Sequence, residues 1–132
     1  MLIDTSGFLC AIDARDKRHP VASTLYKAAK FRLTHSFVLT ELISLAASRG
    51  FSRTVILEFV DEIIVDESIE IIWVDDVLAT EAIALLTKRS DKGWSLCDAV
   101  SFLIMDQYGL VEALTSDHHF EQAGFIQLLQ SS

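Results

Sequence analysis

At 132 residues, 51% hydrophobic and 23% charged, with one proline and five glycines, the chain is long enough to bury a core and too apolar for a disordered segment. Eleven Lys and Arg against 19 Asp and Glu leave a net charge of -8, the wrong sign for a nonspecific nucleic-acid binder. No run approaches the roughly 18 apolar residues of a membrane span, and the start Met1-Leu2-Ile3-Asp4 is not that of a signal peptide.

In chain order, Leu2-Ile3-Asp4 is a short strand that stops at Asp-Thr-Ser-Gly. A short helix spans Phe8 to Ala14, followed by the polar stretch Arg15 to His19. Pro20 suits the first turn of the next helix, which runs to about Arg32, because its missing N–H costs nothing there. Leu33-Thr34-His35 reads as a second strand. Val38, Leu42, Leu45 and Ala46 then share one helical face up to Gly50.

Ser52 caps a helix from Arg53 to Val65, and Ile69 to Val74 is β-branched and aromatic, a third strand. Asp75 or Asp76 caps a helix with Leu78, Ala82, Leu85 and Leu86 as its apolar stripe. Ser95 opens a very apolar helix through Tyr108, stopped by Gly109. Glu112 to Thr115 is a fourth strand, Asp117 to Gln122 a helical turn, and Phe125 to Leu129 a last apolar run. Short apolar strands alternating with helices predict a three-layer α/β/α sandwich, a single domain over 1–132, with a short central parallel sheet. Ligands of such folds bind beyond the carboxyl ends of the strands.

Cys10 and Cys97 are too few for a disulfide framework and lack metal-ligand spacing. They read as two inert, buried thiols in a reducing cytoplasm. Six of the 11 cations (Arg15, Lys17, Arg18, Lys27, Lys30 and Arg32) cluster early, and none follows Lys92. A solvated face explains that cluster better than a phosphate patch does.

The acids are more informative. Asp4 and Asp117 each follow an apolar strand, Asp98 lies in the first turn of the helix opened by Ser95, and Glu41 starts the helix around Val38–Ala46. Each has a bland alternative. Asp4 and Asp117 are candidate caps, Ser95 with Asp98 is a loose capping box, and Glu41 alone reads as an exposed helix residue. Together, carboxylates beside buried sequence repel one another unless a cation offsets them. Oxygen ligands favour Mg²⁺ or Mn²⁺ over zinc. His118 and His119 read as surface turn residues rather than ligands, and Trp94 as half-buried packing rather than a base-stacking platform.

Four motifs in order carry a family resemblance. Leu2-Ile3-Asp4-Thr5-Ser6, Thr40-Glu41-Leu42, Ser95-Leu96-Cys97-Asp98-Ala99 and Leu114-Thr115-Ser116-Asp117, with Gly124-Phe125 beyond, resemble those of PIN domains. The likeness is greatest to small stand-alone bacterial or archaeal proteins of that family, including the VapC toxins. The resemblance implies a metal-dependent ribonuclease whose catalytic and metal-binding acids are Asp4, Glu41, Asp98 and Asp117 around Mg²⁺ or Mn²⁺. Asp4 and Asp98 would be direct ligands, with Thr5, Ser6 and Thr115 as hydroxyls orienting the carboxylates. It also implies an RNA substrate, a cognate antitoxin protein with a basic segment, and a homodimer through the hairpin of residues 37–65. A catalytically silent binding module on the same fold is the alternative. A response-regulator receiver would need an acidic pair after the first strand and a late lysine. A haloacid-dehalogenase-type phosphatase would need an aspartate where Ser6 stands. Both are excluded.

Overall fold

The structure, a computed structural model, describes residues 1–131. Strand β1 (Leu2–Ile3) runs straight into helix α1 (Thr5–Ile12), followed by α2 (His19–Ala28) and β2 (Arg32–His35). Helices α3 (Ser36–Ser48) and α4 (Arg53–Val65) lead to β3 (Ile69–Ile72). After α5 (Asp76–Lys88) and α6 (Leu96–Tyr108) come β4 (Glu112–Leu114), the short α7 (His119–Gln122) and β5 (Ile126–Gln127).

All pairings are parallel and the strand order is β3-β2-β1-β4-β5. The chain winds outward from β1 through β2 to β3, then crosses back to β4 on the other side. The order therefore reverses between β1 and β4, where a crevice opens beyond the strand ends. Helices cover both faces, as the sequence predicts for a parallel sheet. Adjacent strand residues face opposite layers: Ile3 and Leu114 pack with Phe8, Leu9, Leu42 and Ile56, whereas Leu2 and Ala113 pack with Phe102, Ile104 and Phe120. No helix among the described residues is long and apolar enough to cross a membrane.

Local chemistry sets most helix ends. Ser52 Oγ accepts from Val55 N–H, Asp75 Oδ1 accepts from Leu78 N–H, and Gly109 ends α6 at φ 67°. Several boundaries shift by one or two residues, and two differ from the sequence expectation by three or more. Helix α2 stops at Ala28 because Arg32 joins the sheet and turns its guanidinium back on the helix end. There Nε and Nη2 donate to the carbonyls of Tyr26 and Lys27.

Helix α1 begins at Thr5 rather than Phe8, although Thr-Ser-Gly is poor helix-forming sequence. Tertiary packing compensates: Phe8 is fully buried edge-on to Tyr26 and Phe59. Gly7 lets the helix lie on β4, since a β-carbon there would overlap the carbonyl oxygen of Leu114. Gly7→Ala is expected to cost about 1–3 kcal/mol in a urea melt through this overpacking. An unchanged melt would mean that α1 is not held against Leu114.

Candidate active site

Asp4 is the first residue after β1, and Asp117 lies three residues beyond Leu114, the end of β4. These strands are hydrogen-bonded neighbours, with Ile3 paired to Leu114, so both acids emerge at the crevice. Glu41, on α3, faces them. The three line one cleft of about 390 Å³ with Ser6, Leu45, Arg49, Ser116 and His118. Asp98 is buried behind that wall, close enough for its charge to act on Asp4.

A chain of hydroxyls ties the two strand ends together. Thr115 Oγ1 donates to Asp4 Oδ2 at 2.9 Å and accepts from Asp117 N–H at 3.0 Å. Its single proton is thereby used, so Ser6 Oγ, 3.2 Å away, donates to it. Ser6 Oγ in turn accepts from Ser116 N–H at 2.9 Å. With its proton committed in this way, Ser6 is a strut rather than a nucleophile. Thr5, expected to steer a carboxylate, does not: its Oγ1 is buried without a hydrogen-bond partner. Asp4 does not cap α1 through its side chain either.

Asp98 plays two parts. Ser95 Oγ accepts from Asp98 N–H, and Asp98 Oδ2 accepts from Ser95 N–H, a complete capping box. The same Oδ2 lies 2.9 Å from His119 Nδ1. An ionised carboxylate only accepts, so His119 Nδ1 carries the proton there. His119 also approaches Asp117: its backbone N–H donates to Asp117 Oδ1 at 2.9 Å, and Nδ1 stands 3.4 Å from that oxygen. His119 is therefore no surface turn residue but a half-buried link between two of the four acids. His118 is exposed, as expected. Trp94 is buried, edge-on to Phe102 with Nε1 donating to Gln122, a packing residue.

Burial pushes the Asp4 carboxyl up from 3.8 to about 7, against the hydrogen bonds from Thr115 and the Thr5 backbone, with the charges of Asp98 and Glu41 adding to the rise. Cys97, unremarkable by sequence spacing, has its Sγ within 4.8 Å of carboxylate oxygens of Asp4 and Glu41. Burial, then the charges of Asp4, Glu41 and Asp98, push its thiol far above the ordinary range. It stays protonated and is a poor donor to a hard cation. A carboxylate held against ionisation, with further carboxylates beside it, fits a hard divalent cation: the cation offsets both the desolvation and the mutual repulsion.

The early basic cluster divides in two: Lys17, Lys27 and Lys30 are solvent-exposed, as expected of a solvated face, whereas its three arginines are engaged in structure. Arg15 pairs with Asp13 and Arg18 with Asp16 in the loop between α1 and α2, while Arg32 caps α2. The cation in the cleft wall is Arg49, to which the sequence drew no attention.

The family model described as PIN domain matches residues 1–126. A 23S rRNA-specific endonuclease, VapC20 of Mycobacterium tuberculosis strain CDC 1551 / Oshkosh, is 26% identical over 129 residues, covering 97% of each chain. The corresponding protein of strain ATCC 25618 / H37Rv matches equally. The crystal structure of Mycobacterium tuberculosis VapC20, described as a sarcin-ricin loop cleaving toxin, superposes with a TM-score of 0.86 at 25% identity, covering 97% of this chain and 98% of that one.

Proposed function

The chain belongs to the PIN-domain family, and from that premise we propose that it is a metal-dependent endoribonuclease, a toxin of the VapC kind acting as one domain in the cytoplasm. The observation that supports this most is the convergence of Asp4, Glu41 and Asp117 on one cleft, with Asp98 behind Asp4. Those four residues would hold Mg²⁺ or Mn²⁺, with Asp4 and Asp98 as direct ligands. Such an ion activates water and offsets the charge that builds on a phosphodiester during in-line displacement.

The chain's own groups prepare the site. Thr115 fixes the Asp4 carboxylate and the Asp117 backbone with one hydroxyl, so the two strand ends keep their spacing. His119 orients Asp98. The buried wall around Asp4 keeps water away and strengthens every charge interaction within it.

A cognate antitoxin presenting a basic segment would fit a cleft so rich in carboxylates. A homodimer through α3 and α4 would cover the exposed Val55, Leu57, Ile64 and Val65, and a monomeric mass by light scattering would overturn that part.

The test is cleavage of labelled structured RNAs with Mg²⁺, Mn²⁺ or EDTA, beside Asp98→Asn. A sarcin-ricin hairpin belongs in the set because the relative is described as cleaving that loop. The expected result is metal-dependent cleavage that disappears in the variant. No cleavage of any RNA by metal-loaded, inhibitor-free protein would leave the silent binding module as the reading.

A further inference from the structure

Whatever cation sits among the carboxylates offsets their charge, but an RNA strand entering the cleft brings phosphates on either side of the bond to be cut. In a chain of net charge -8 those phosphates need a partner. Among the described residues, the one Lys or Arg in the cleft wall is Arg49. It stands at the C-terminal cap of α3, the helix that carries Glu41. Glu41, Leu45 and Arg49 succeed one another at four-residue steps, and all three line the cleft. Eight residues at about 1.5 Å each put Arg49 about 12 Å along the axis from Glu41.

Two features show that Arg49 is only loosely held in its ion pair with Asp16. Its side chain is 36% exposed, and its nearest carboxylate, Asp16 Oδ2, lies 3.8 Å from Nη1, beyond hydrogen-bond range. Asp16 is already satisfied, accepting from Arg18 Nε at 2.9 Å and Nη2 at 2.8 Å. The backbone of Arg49, by contrast, is firmly held. Its N–H donates into the last turn of α3, and its carbonyl accepts from Arg15 Nη2 at 2.9 Å. A fixed backbone with a loosely engaged guanidinium at the edge of an acidic cleft suits a group that awaits an anion.

We propose that Arg49 is the substrate-binding residue of this cleft, taking through its guanidinium an RNA phosphate that flanks the one cleaved. The proposal rests on the nuclease reading for its substrate, and it places the contribution of Arg49 in binding the strand rather than in the bond-breaking step. Arg15 and Asp16 act through it, the first by fixing its backbone and the second by keeping the guanidinium near the cleft until RNA arrives.

The experiment has two arms. In the first, single-turnover and steady-state cleavage are compared for wild type, Arg49→Gln and Arg49→Lys. The expected result is a KM raised about tenfold in Arg49→Gln, kcat reduced much less, and partial recovery in Arg49→Lys. In the second, a labelled single-stranded RNA is titrated in Mg²⁺ against the Asp98→Asn protein with and without Arg49→Gln, across a salt series. Loss of one phosphate contact should flatten the plot of log affinity against log salt by about 0.7. An unchanged affinity, or a weaker affinity with an unchanged salt slope, would overturn the proposal. So would a loss confined to kcat. If the wild type cleaves nothing, the nuclease reading fails in the first arm, while the second still decides whether Arg49 meets phosphate.

Discussion

Asp4→Asn is expected to reduce RNA cleavage about a thousandfold or more and, in EDTA at pH 8, to make the protein more stable. The two effects have one cause. Asp4 is almost wholly buried, and its carboxyl is pushed to about 7, chiefly by that burial. At pH 8 the metal-free protein must therefore keep a reluctant charge in its interior. Relative to an ordinary carboxyl near 3.8, that is a burden on the order of 4 kcal/mol, which the amide lacks. The unpaired N–H groups of the new side chain return part of it. On the reading proposed above Asp4 would be a ligand of a charge-stabilising cation, whose loss costs several kcal/mol in the transition state, hence the expected fall in rate. Parallel cleavage assays and urea melts in EDTA check both signs. A variant that loses activity and stability together would mean that Asp4 serves the fold.

The second large effect lies in the pH dependence of metal-free stability, where two buried groups oppose each other. Asp4, with its raised pKa, contributes stability that is fully present below about 3.8 and is lost as pH rises to about 7. His35 is the reverse. It is fully buried between sheet and α6, and burial lowers its pKa from 6.5 to about 3.

Ser101 Oγ donates to the Cys97 carbonyl, so it accepts from His35 Nε2–H, leaving Nδ1 without a partner and the ring neutral. The unfolded chain binds a proton on this histidine below 6.5 and the native one does not. Stability from His35 is thus lost as pH falls from 6.5 toward 3. Between about pH 4 and 6.5 the two slopes cancel. Wild type in EDTA should then give nearly constant unfolding free energies at pH 4.5, 5.5 and 6.5, whereas Asp4→Asn should gain about 1.4 kcal/mol per unit over that range. A variant as flat as wild type would refute the assignment of opposed groups.

What could be read from the sequence was what depends on neighbours a few residues apart. Ser52, Asp75, the Ser95–Asp98 box and Gly109 each mark a boundary through chemistry confined to one turn. The alternation of short apolar strands with helices announced the layered parallel sheet. The four acids stood out through motif order. The start of α1 was not legible, because what makes Thr-Ser-Gly helical is its fit on Leu114, more than 100 residues away. His119 looked like a turn residue because its partner, Asp98, is 21 residues earlier. Cys97 and Arg49 gave no local signal at all; only folding brings the thiol beside Asp4 and the guanidinium into the cleft wall.

The placement of β1 at the middle of the sheet also has a temporal side. Asp4 is synthesised 111 residues before Thr115, so its strand gains β4 as a neighbour, and its carboxylate gains that hydroxyl, only after all of the intervening chain exists. Asp98 and Asp117 arrive late as well. A nascent chain or fragment that ends before α6 holds Asp4 and Glu41 without Asp98, Thr115 or Asp117, and so only half of the proposed centre. On the nuclease reading proposed above, cleavage would therefore wait until β4 and the residues just beyond it have been made and folded.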